Sequence, residues 1–309
     1  MSVFLIYTFR EPELLARTIR RLAPHPVVVH VDRKVDQAPF VAALAAEDRG
    51  RVEFLADRVR VNWGGYSQVE AIRRLVAAGI ARARPEEHLV LLSGQDYPIR
   101  PVAELEAMLA GSGGRQFLRY FDVAGSEEKY TAQVDRRYHR DLALLSTRTT
   151  DPRLRRARNA AIRVLESASR AAGPLRPPAG FRVAHGVTHF AMTAGFAAEL
   201  EASVTPAIER YFRRVFVAEE KFYQSLALNS ARGRETGGPH ADGSEPSAGP
   251  GNWRYANLHH IDPSLTKVYT EADWPEVEAS PGWFLRKLET GRSAALLDRI
   301  DRELLHAEQ

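Results

Sequence analysis

Two adjacent carboxylates, Glu219 and Glu220, are the residues of this sequence best suited to acid–base chemistry. They precede a segment with an apolar face, Phe222 and Leu226, which predicts that a helix follows them. A carboxylate can take the proton of a hydroxyl group while that hydroxyl attacks another atom. Acids at a helix N-terminus are also common because they interact favourably with the helix dipole, and the residues alone favour this structural interpretation.

A second candidate follows the β-branched run Pro26–Val31, where the segment His30–Lys34 ends a predicted strand. The carboxylate of Asp32 can accept hydrogen bonds from a ribose hydroxyl or from a base N–H. The alternative is a turn that carries a solvated charge cluster. The residues alone leave both interpretations open.

The segment Trp63–Ser67 contains paired glycines and opens a predicted helix over residues 68–81. Paired glycines let the backbone approach a ligand closely or take a positive φ. Ser67 is a possible cap for this helix, with Glu70 as the reciprocal acid of a capping box. A capped helix start is expected in either case, and the flat face of Trp63 or Tyr66 adds a surface on which a base could stack.

Polar residues also follow the buried run at 88–92. Gln95, Asp96 and Tyr97 stand between this predicted strand and Pro98. So many polar groups at a strand end are unusual for a plain turn, which favours a substrate site over a structural corner.

Basic residues near the C-terminus form the last candidate. Arg286 and Lys287 lie among apolar residues in the segment Trp283–Leu288, and Lys267 lies upstream. Such cations can hold a diphosphate. The alternative is a solvated basic turn, and the segment taken alone favours that interpretation.

The elements that position these residues alternate between strand and helix. Buried runs predict strands, and apolar residues at helical spacing predict helices. The predicted strands cover 3–7, 26–31, 52–55 and 88–92, with helices over 11–22 and 68–81. This alternation is typical of an α/β fold with a mainly parallel sheet flanked by helices. Such sheets bind ligands beyond the carboxyl ends of their strands, where the first candidate residues lie.

The rest of the chain carries less information. We expect helices over 151–172 and 293–306, a proline-rich loop over 173–180, a strand over 190–193 and a short helix over 196–204. Residues 233–251 are rich in Gly, Pro and Ser, and we expect a mobile loop beside the site. No domain boundary stands out, which predicts a single domain over residues 1–309.

Composition excludes several kinds of site. The 309 residues include no cysteine, so thiolate metal sites and a cysteine nucleophile are excluded. No Asp-x-Asp, phosphate-binding P-loop or Gly-x-Gly-x-x-Gly pattern occurs, and His189 on its apolar stretch is more typical of a core residue than of a ligand. We therefore expect no metal site. No apolar run approaches the length of a membrane span, and we expect a cytoplasmic protein.

These segments, in this order, resemble those of the core-2/I-branching β-1,6-N-acetylglucosaminyltransferase family, which also contains peptide-O-xylosyltransferases. The resemblance runs from Phe4 to Leu288, and Leu92–Ile99 matches the family's Leu-Ser-Gly-x-Asp-Tyr-Pro-Ile nearly residue for residue. Four further segments match family motifs: His30–Lys34, Trp63–Ala71, Ala218–Asn229 and Phe284–Leu288.

The resemblance implies the A-type glycosyltransferase fold and an inverting, metal-independent enzyme that uses a UDP-sugar as co-substrate. It implies that Glu220 is the catalytic base and that Lys287 contacts the donor diphosphate, with Arg286 beside it and Lys267 as a further cation. Thr8, Asp32 and Trp63 fall where the family holds uridine. Glu219 and the polar residues Gln95, Asp96 and Tyr97 are assigned to the substrate site.

Some features depart from the family pattern and affect the acceptor more than the chemistry. The acceptor-side segment Gly186–His189 lacks the family's tryptophan, and Ala218 stands where the family has proline. We expect a bacterial-type soluble member that acts on a glycan or a small natural product. N-acetylglucosamine is favoured over xylose as the transferred sugar by the overall resemblance alone.

Three alternatives remain: a UDP-xylose-dependent xylosyltransferase, a non-catalytic nucleotide-sugar-binding protein, and a nucleic-acid-binding protein. The last would use the arginine-rich segment 153–170. Its basic residues are spread around the predicted helix with Glu166 among them, which is more typical of a solvated face. We therefore expect no nucleic-acid partner.

Overall fold

The computed structural model describes residues 1–141, 151–236 and 258–306. The strands of the described residues are β1 (Val3–Thr8), β2 (Val27–Val31), β3 (Val52–Phe54), β4 (His88–Ser93), β5 (Asp96–Pro98), β6 (Tyr120–Asp122), β7 (Ala184–Gly186), β8 (Ala191–Thr193), β9 (His259–Ile261) and β10 (Phe284–Arg286).

The helices of the described residues surround these strands. They are α1 (Pro12–Arg21), α2 (Ala38–Ala42), α3 (Ser67–Ile80), α4 (Val102–Ala110), α5 (Glu128–Asp135), α6 (Pro152–Arg170), α7 (Ala194–Ala202), α8 (Pro206–Phe212), α9 (Phe222–Asn229), α10 (Trp274–Glu278) and α11 (Ala294–Glu303).

A five-stranded sheet with the order β3-β2-β1-β4-β8 forms the centre of the fold. The first four strands in this order are parallel, and β8 runs antiparallel to β4. The prediction of a mainly parallel α/β sheet is confirmed. Because β1 has β2 on one side and β4 on the other, the strand order reverses at β1, and a crevice opens beyond the ends of β1 and β4.

Both faces of this sheet are buried, as expected for parallel strands covered by helices. Alternate residues of β1 face opposite sides: Leu5 packs in the cluster that contains Leu75 of α3, whereas Phe4 packs in the cluster that contains Leu15 of α1. The apolar runs in the sequence thus become a rigid base for the polar residues that follow each strand.

A smaller sheet connects the C-terminal part of the chain to the end of β4. In this sheet β10 pairs antiparallel with β5 and parallel with β9, and the register sets Arg286 opposite Asp96. A third, two-stranded sheet joins β6 and β7. Two segments that are far apart in the sequence, the end of β4 and the basic segment near 286, are therefore neighbours.

The predicted elements are confirmed, with small shifts at their ends. The capping prediction at α3 is wrong, because Ser67 is the first helical residue and its N–H donates to Asp141 Oδ2 over 2.9 Å. The Ser67 hydroxyl oxygen instead accepts a hydrogen bond from the N–H of Asn62. A carboxylate from a distant part of the chain caps the helix, which local sequence patterns do not reveal.

The loop predicted over 233–251 is described only at its start. Residues Gly233–Thr236 form a 3₁₀ turn. The remainder of that prediction, from residue 237 onward, lies outside the described residues. Among the helices that the structure describes, none combines the length and the apolar character needed to cross a lipid bilayer.

Candidate active site

A cleft of about 630 Å³ opens at the carboxyl ends of β1, β2 and β4. Eight of the eleven residues predicted for the site line it: Thr8, Asp32, Trp63, Gln95, Glu219, Glu220, Arg286 and Lys287. They come from segments spread over almost the whole sequence, and the parallel sheet brings them to one edge.

Asp32 is held rigidly after β2. Its Oδ1 accepts hydrogen bonds from the N–H groups of Lys34, over 2.9 Å, and Val61, over 3.3 Å. The Lys34 ammonium lies 3.7 Å from Asp32 Oδ2 and also donates to the carbonyl of Val61. The backbone N–H of Asp32 donates to the carbonyl of Thr8, which ties the ends of β1 and β2 together. The cleft therefore has a preorganised carboxylate on this wall.

Trp63 forms an exposed aromatic surface at the edge of the cleft, with 68% of the residue accessible. Its ring meets the edge of Phe216 at a centroid separation of 5.4 Å. The next residue, Gly64, has a φ of +73°, and a side chain there would overlap the Phe216 ring, so glycine is required. The tight turn fixes Trp63 as a flat platform.

Asp96 lies fully buried behind the cleft. It accepts hydrogen bonds from the N–H of Ser93 over 2.6 Å, from the Ser93 hydroxyl over 2.9 Å and from Arg286 Nη1 over 2.9 Å. Burial alone would raise the pKa of Asp96, but Arg286 and two neighbouring histidines hold it well below its usual range. Asp96 is therefore a buried anion that positions Arg286.

The two histidines are His189 and His259, and each Nε2 lies 3.3 Å from Asp96 Oδ2. By geometry, this group of three could hold a metal ion. However, Arg286 already binds the same carboxylate, and a divalent cation would have to lie beside that guanidinium. Burial, followed by the effect of His259, keeps the pKa of His189 well below its usual value, so its ring is neutral. His259 hydrogen-bonds to Asp96, and His189 hydrogen-bonds to the hydroxyl of Tyr7.

His189 is buried, as expected from its apolar surroundings, but it also belongs to the wall of the cleft. Its Nε2 lies 3.3 Å from the hydroxyl of Tyr7 as well as close to Asp96. Its buried Nδ1 has no hydrogen-bond partner among the described residues. Neither His189 nor Tyr7 could be predicted as a cleft residue from the sequence, because single residues in apolar runs carry no spacing signal.

Positive charge is concentrated at one end of the cleft. Arg10, Arg286 and Lys287 all line it. Arg10 donates to Gln95 Oε1 over 2.7 Å, and Gln95 in turn donates to the carbonyl of Leu288 over 3.2 Å. Burial, followed by the charges of Arg286 and Arg10, lowers the pKa of Lys287. The mutual repulsion of these cations favours the binding of an anion between them.

The two candidate carboxylates lie on a 3₁₀ turn, Ala218–Glu220, and differ in their surroundings. Glu219 is buried, and this burial together with the nearby charge of Glu220 raises its pKa to about 8. Lys221 is also fully buried; burial lowers its pKa to about 8, and its ammonium donates to the carbonyl of Val217. Glu220 keeps 29% of its side chain exposed in the cleft.

His185 on β7 lies next to Glu220, with 3.9 Å between Nε2 and Glu220 Oε2. Its ring packs against Tyr130 and Phe121, at centroid separations of 4.8 and 5.3 Å. Burial, followed by the charge of Lys221, keeps the pKa of His185 well below its usual value, so the imidazole is neutral. His185 could not be predicted as a site residue from the sequence, because an isolated histidine forms no recognisable pattern.

Two predicted residues lie away from the cleft. The hydroxyl of Tyr97 donates to Asp301 Oδ1 over 2.6 Å, so Tyr97 joins β5 to α11 and does not line the cleft. The ammonium of Lys267 forms ion pairs with Asp273 at 2.9 Å and Glu276 at 2.8 Å. It is turned toward these acids, whereas its neighbour Thr266 lines the cleft.

Comparison with known families gives a match over more than half of the chain. The family model described as Core-2/I-Branching enzyme matches residues 3–236. This range includes the end of β1, the turn after β2, the Trp63 platform and both carboxylates of the 3₁₀ turn, whereas Arg286 and Lys287 lie beyond it. No curated protein matches the sequence.

Proposed function

We propose that this chain, which belongs to the Core-2/I-branching enzyme family and is a glycosyltransferase, transfers sugar from a UDP-sugar to an acceptor hydroxyl with inversion. Its mainly parallel sheet flanked by helices is the A-type glycosyltransferase fold of that family. The observation that carries the proposal is the shared cleft, which has a carboxylate, Glu220, and a group of cations, Arg10, Arg286 and Lys287, among its lining residues.

Glu220 acts as the general base. Its carboxylate takes the proton of the acceptor hydroxyl as the acceptor oxygen forms a bond to the anomeric carbon of the donor. The bond from that carbon to the diphosphate oxygen breaks at the same time, and its electron pair leaves with UDP. Attack on the face opposite the leaving group inverts the anomeric centre.

The difference between the two carboxylates supports Glu220 over its neighbour. Glu219 is buried and has a pKa raised to about 8, so near neutral pH it carries a proton and cannot accept one. Glu220 is partly exposed in the cleft, where an acceptor can reach it. The neutral ring of His185 lies beside the Glu220 carboxylate, 3.9 Å from Oε2, and adds no positive charge there.

The uridine of the donor lies between Asp32 and Trp63. The rigid carboxylate of Asp32 accepts hydrogen bonds from the nucleoside, and the exposed ring of Trp63 stacks on the base. Thr8, whose hydroxyl donates to the carbonyl of Arg10 over 2.9 Å, completes this wall at the end of β1. We favour N-acetylglucosamine as the transferred sugar and a glycan or small natural product as the acceptor.

Fixed cations neutralise the diphosphate without a metal ion. Negative charge grows on the leaving group as the glycosidic bond breaks, and preorganised cations stabilise it in the transition state. Arg286 is held by Asp96, and Lys287 follows it in the sequence, so both are prepositioned. Arg10, and not Lys267 as predicted from the sequence, adds the third positive charge.

A nucleotide-binding assay tests the donor assignment. UDP should raise the melting temperature of the protein because a ligand that binds only the folded state stabilises it. GDP and dTDP should raise it much less, and Asp32→Ala should remove the UDP effect. Asp57→Ala is the matched control, since its side chain is 85% exposed and it does not line the cleft. Equal stabilisation by the three nucleotides would refute uridine selection.

A further inference from the structure

Helix α6 is an unusual surface element. It has 19 residues, Pro152–Arg170, and among them are six arginines and one acid, Glu166. Of all its side chains, only that of Ile162 is buried. The charges alone predict a solvated face, whereas the structure also shows where the apolar residues of the helix lie.

One face of α6 attaches it to the protein. Ile162 is buried on this face, and the Glu166 carboxylate lies 3.3 Å from Arg140 Nε. One turn further along, the hydroxyl of Ser169 lies 2.8 Å from His139 Nε2. These contacts at i, i+4 and i+7 fix which side of the helix faces the protein and leave the rest exposed.

A different face carries an exposed apolar stripe. At about 100° per residue, its members fall within one arc of about 100° that begins about 60° from Ile162. Leu154 is 45% exposed, Val164 67% and Leu165 38%. The stripe consists of Leu154, Ala157, Ala161, Val164, Leu165 and Ala168, all of them exposed. An apolar stripe on a surface helix ordinarily faces the core, so this orientation needs another partner.

Arginines lie along one side of the stripe. By the same helical spacing, Arg153 borders its edge and Arg156 lies further round on that side, whereas Arg158 lies toward the attached face and is partly buried. Long basic side chains beside an exposed apolar stripe are the pattern of a helix that lies in a membrane interface, with the apolar residues among the acyl chains and the cations at the headgroups.

We propose that α6 docks the protein on an anionic lipid surface. The positive charge of the helix complements acidic headgroups, and the apolar stripe supplies the hydrophobic contact that a purely electrostatic partner would not use. A nucleic acid would engage the arginines but would leave Leu154, Val164 and Leu165 in water. This inference does not depend on the donor, acceptor or catalytic residues.

Vesicle sedimentation with the whole protein tests the proposal. The protein should sediment with vesicles that contain equal parts phosphatidylcholine and phosphatidylglycerol and should stay in the supernatant with phosphatidylcholine alone. High salt should release it, because salt screens the attraction between the arginines and the headgroups. Two double variants should each reduce the bound fraction at least several-fold. One combines Val164→Asp with Leu165→Asp, and the other combines Arg153→Glu with Arg156→Glu.

Matched substitutions elsewhere separate docking from general changes in charge or folding. Val41→Asp changes an exposed valine on α2, and Arg292→Glu reverses a charge on a side chain that is 63% exposed. Both should bind vesicles like the wild type. All variants should keep the wild-type melting temperature, since the changed side chains face solvent. Binding to both kinds of vesicle alike, undiminished binding of the α6 variants, or binding to RNA but not to vesicles would overturn the proposal.

Discussion

Glu220 Oε2 lies 3.9 Å from His185 Nε2, and the histidine is a neutral ring held between Phe121 and Tyr130. A neutral imidazole gives the carboxylate a polar neighbour without a fixed positive charge. A cation at this distance would stabilise the ionised carboxylate and weaken it as a base. This neighbour is compatible with the proposed role of Glu220 as a base.

Replacement of Glu220 by glutamine should remove the base and keep the shape of the cleft. We expect kcat to fall by about 100- to 10,000-fold, the usual range for loss of a general base, while UDP still raises the melting temperature. Glu219→Gln is the matched control and should lose far less activity, because Glu219 already carries its proton near neutral pH. Steady-state kinetics on both variants measures this difference. A larger loss of activity in Glu219→Gln would show that Glu220 is not the base.

Glu219 should also leave a signature in the pH dependence of stability. Its pKa is raised from 4.5 to about 8 in the folded protein. Between these values the folded state keeps a proton that the unfolded chain has lost, so the free energy of unfolding falls as pH rises. The Glu219→Gln variant lacks this titration. Over this interval the free energy of unfolding of the wild type should therefore fall by at least about 1.4 kcal/mol relative to that of the variant, a change equivalent to one pKa unit.

Denaturant unfolding at a series of pH values below 8 measures this difference. Above pH 8, Lys221 makes the free energy of unfolding rise with pH, since its pKa is lowered from 10.5 to about 8 in the folded protein. Glu209→Gln is a suitable control, because its side chain is 34% exposed and forms an ion pair with Arg73 on the surface. If the wild type and Glu219→Gln keep a constant difference from pH 5 to 8, Glu219 does not hold a proton in the folded state.

Much of the architecture could be predicted because the buried β-branched runs are long and regular. The runs at Pro26–Val31 and His88–Leu92 carry strands whose ends turn polar, and parallel strands share one edge for such residues. For that reason the sequence alone predicts that Asp32 and Gln95 lie at the same edge of the sheet. These positions follow from alternation along the chain, which is a local property of the sequence.

The direction of individual side chains could not be predicted in the same way. Tyr97 and Gln95 stand two residues apart at the same strand end, yet Gln95 lines the cleft and Tyr97 meets Asp301. Their orientations depend on β10, which pairs with β5 from the far end of the sequence. Lys267 is likewise turned away by two acids, Asp273 and Glu276, that follow it on a local turn and helix.

Asp96 should matter for stability as much as for activity. It is fully buried and balances the charge of Arg286, so Asp96→Asn removes the carboxylate with which that cation is paired. Removal of one member of a buried ion pair costs about 3–5 kcal/mol, and we expect the free energy of unfolding to fall by that order. Asp298→Asn should change it by less than about 1 kcal/mol, because that side chain is 64% exposed in its pair with Arg17. Similar values for the two variants in urea unfolding would contradict the role given to Asp96.

The cations at the end of the cleft should replace a metal ion in turnover. Activity should be unchanged in excess EDTA, because Arg286 and Lys287 supply the charge that a divalent ion would otherwise supply. Lys287→Ala should lower kcat more than it weakens acceptor binding, since the lysine charge matters most when the bond to the diphosphate breaks. Lys267→Ala is the matched control and should keep wild-type kcat, because Lys267 is paired with Asp273 and Glu276 outside the cleft. Loss of activity in EDTA that manganese or magnesium restores would refute charge neutralisation by the protein alone, and equal losses in the two lysine variants would remove Lys287 from the diphosphate site.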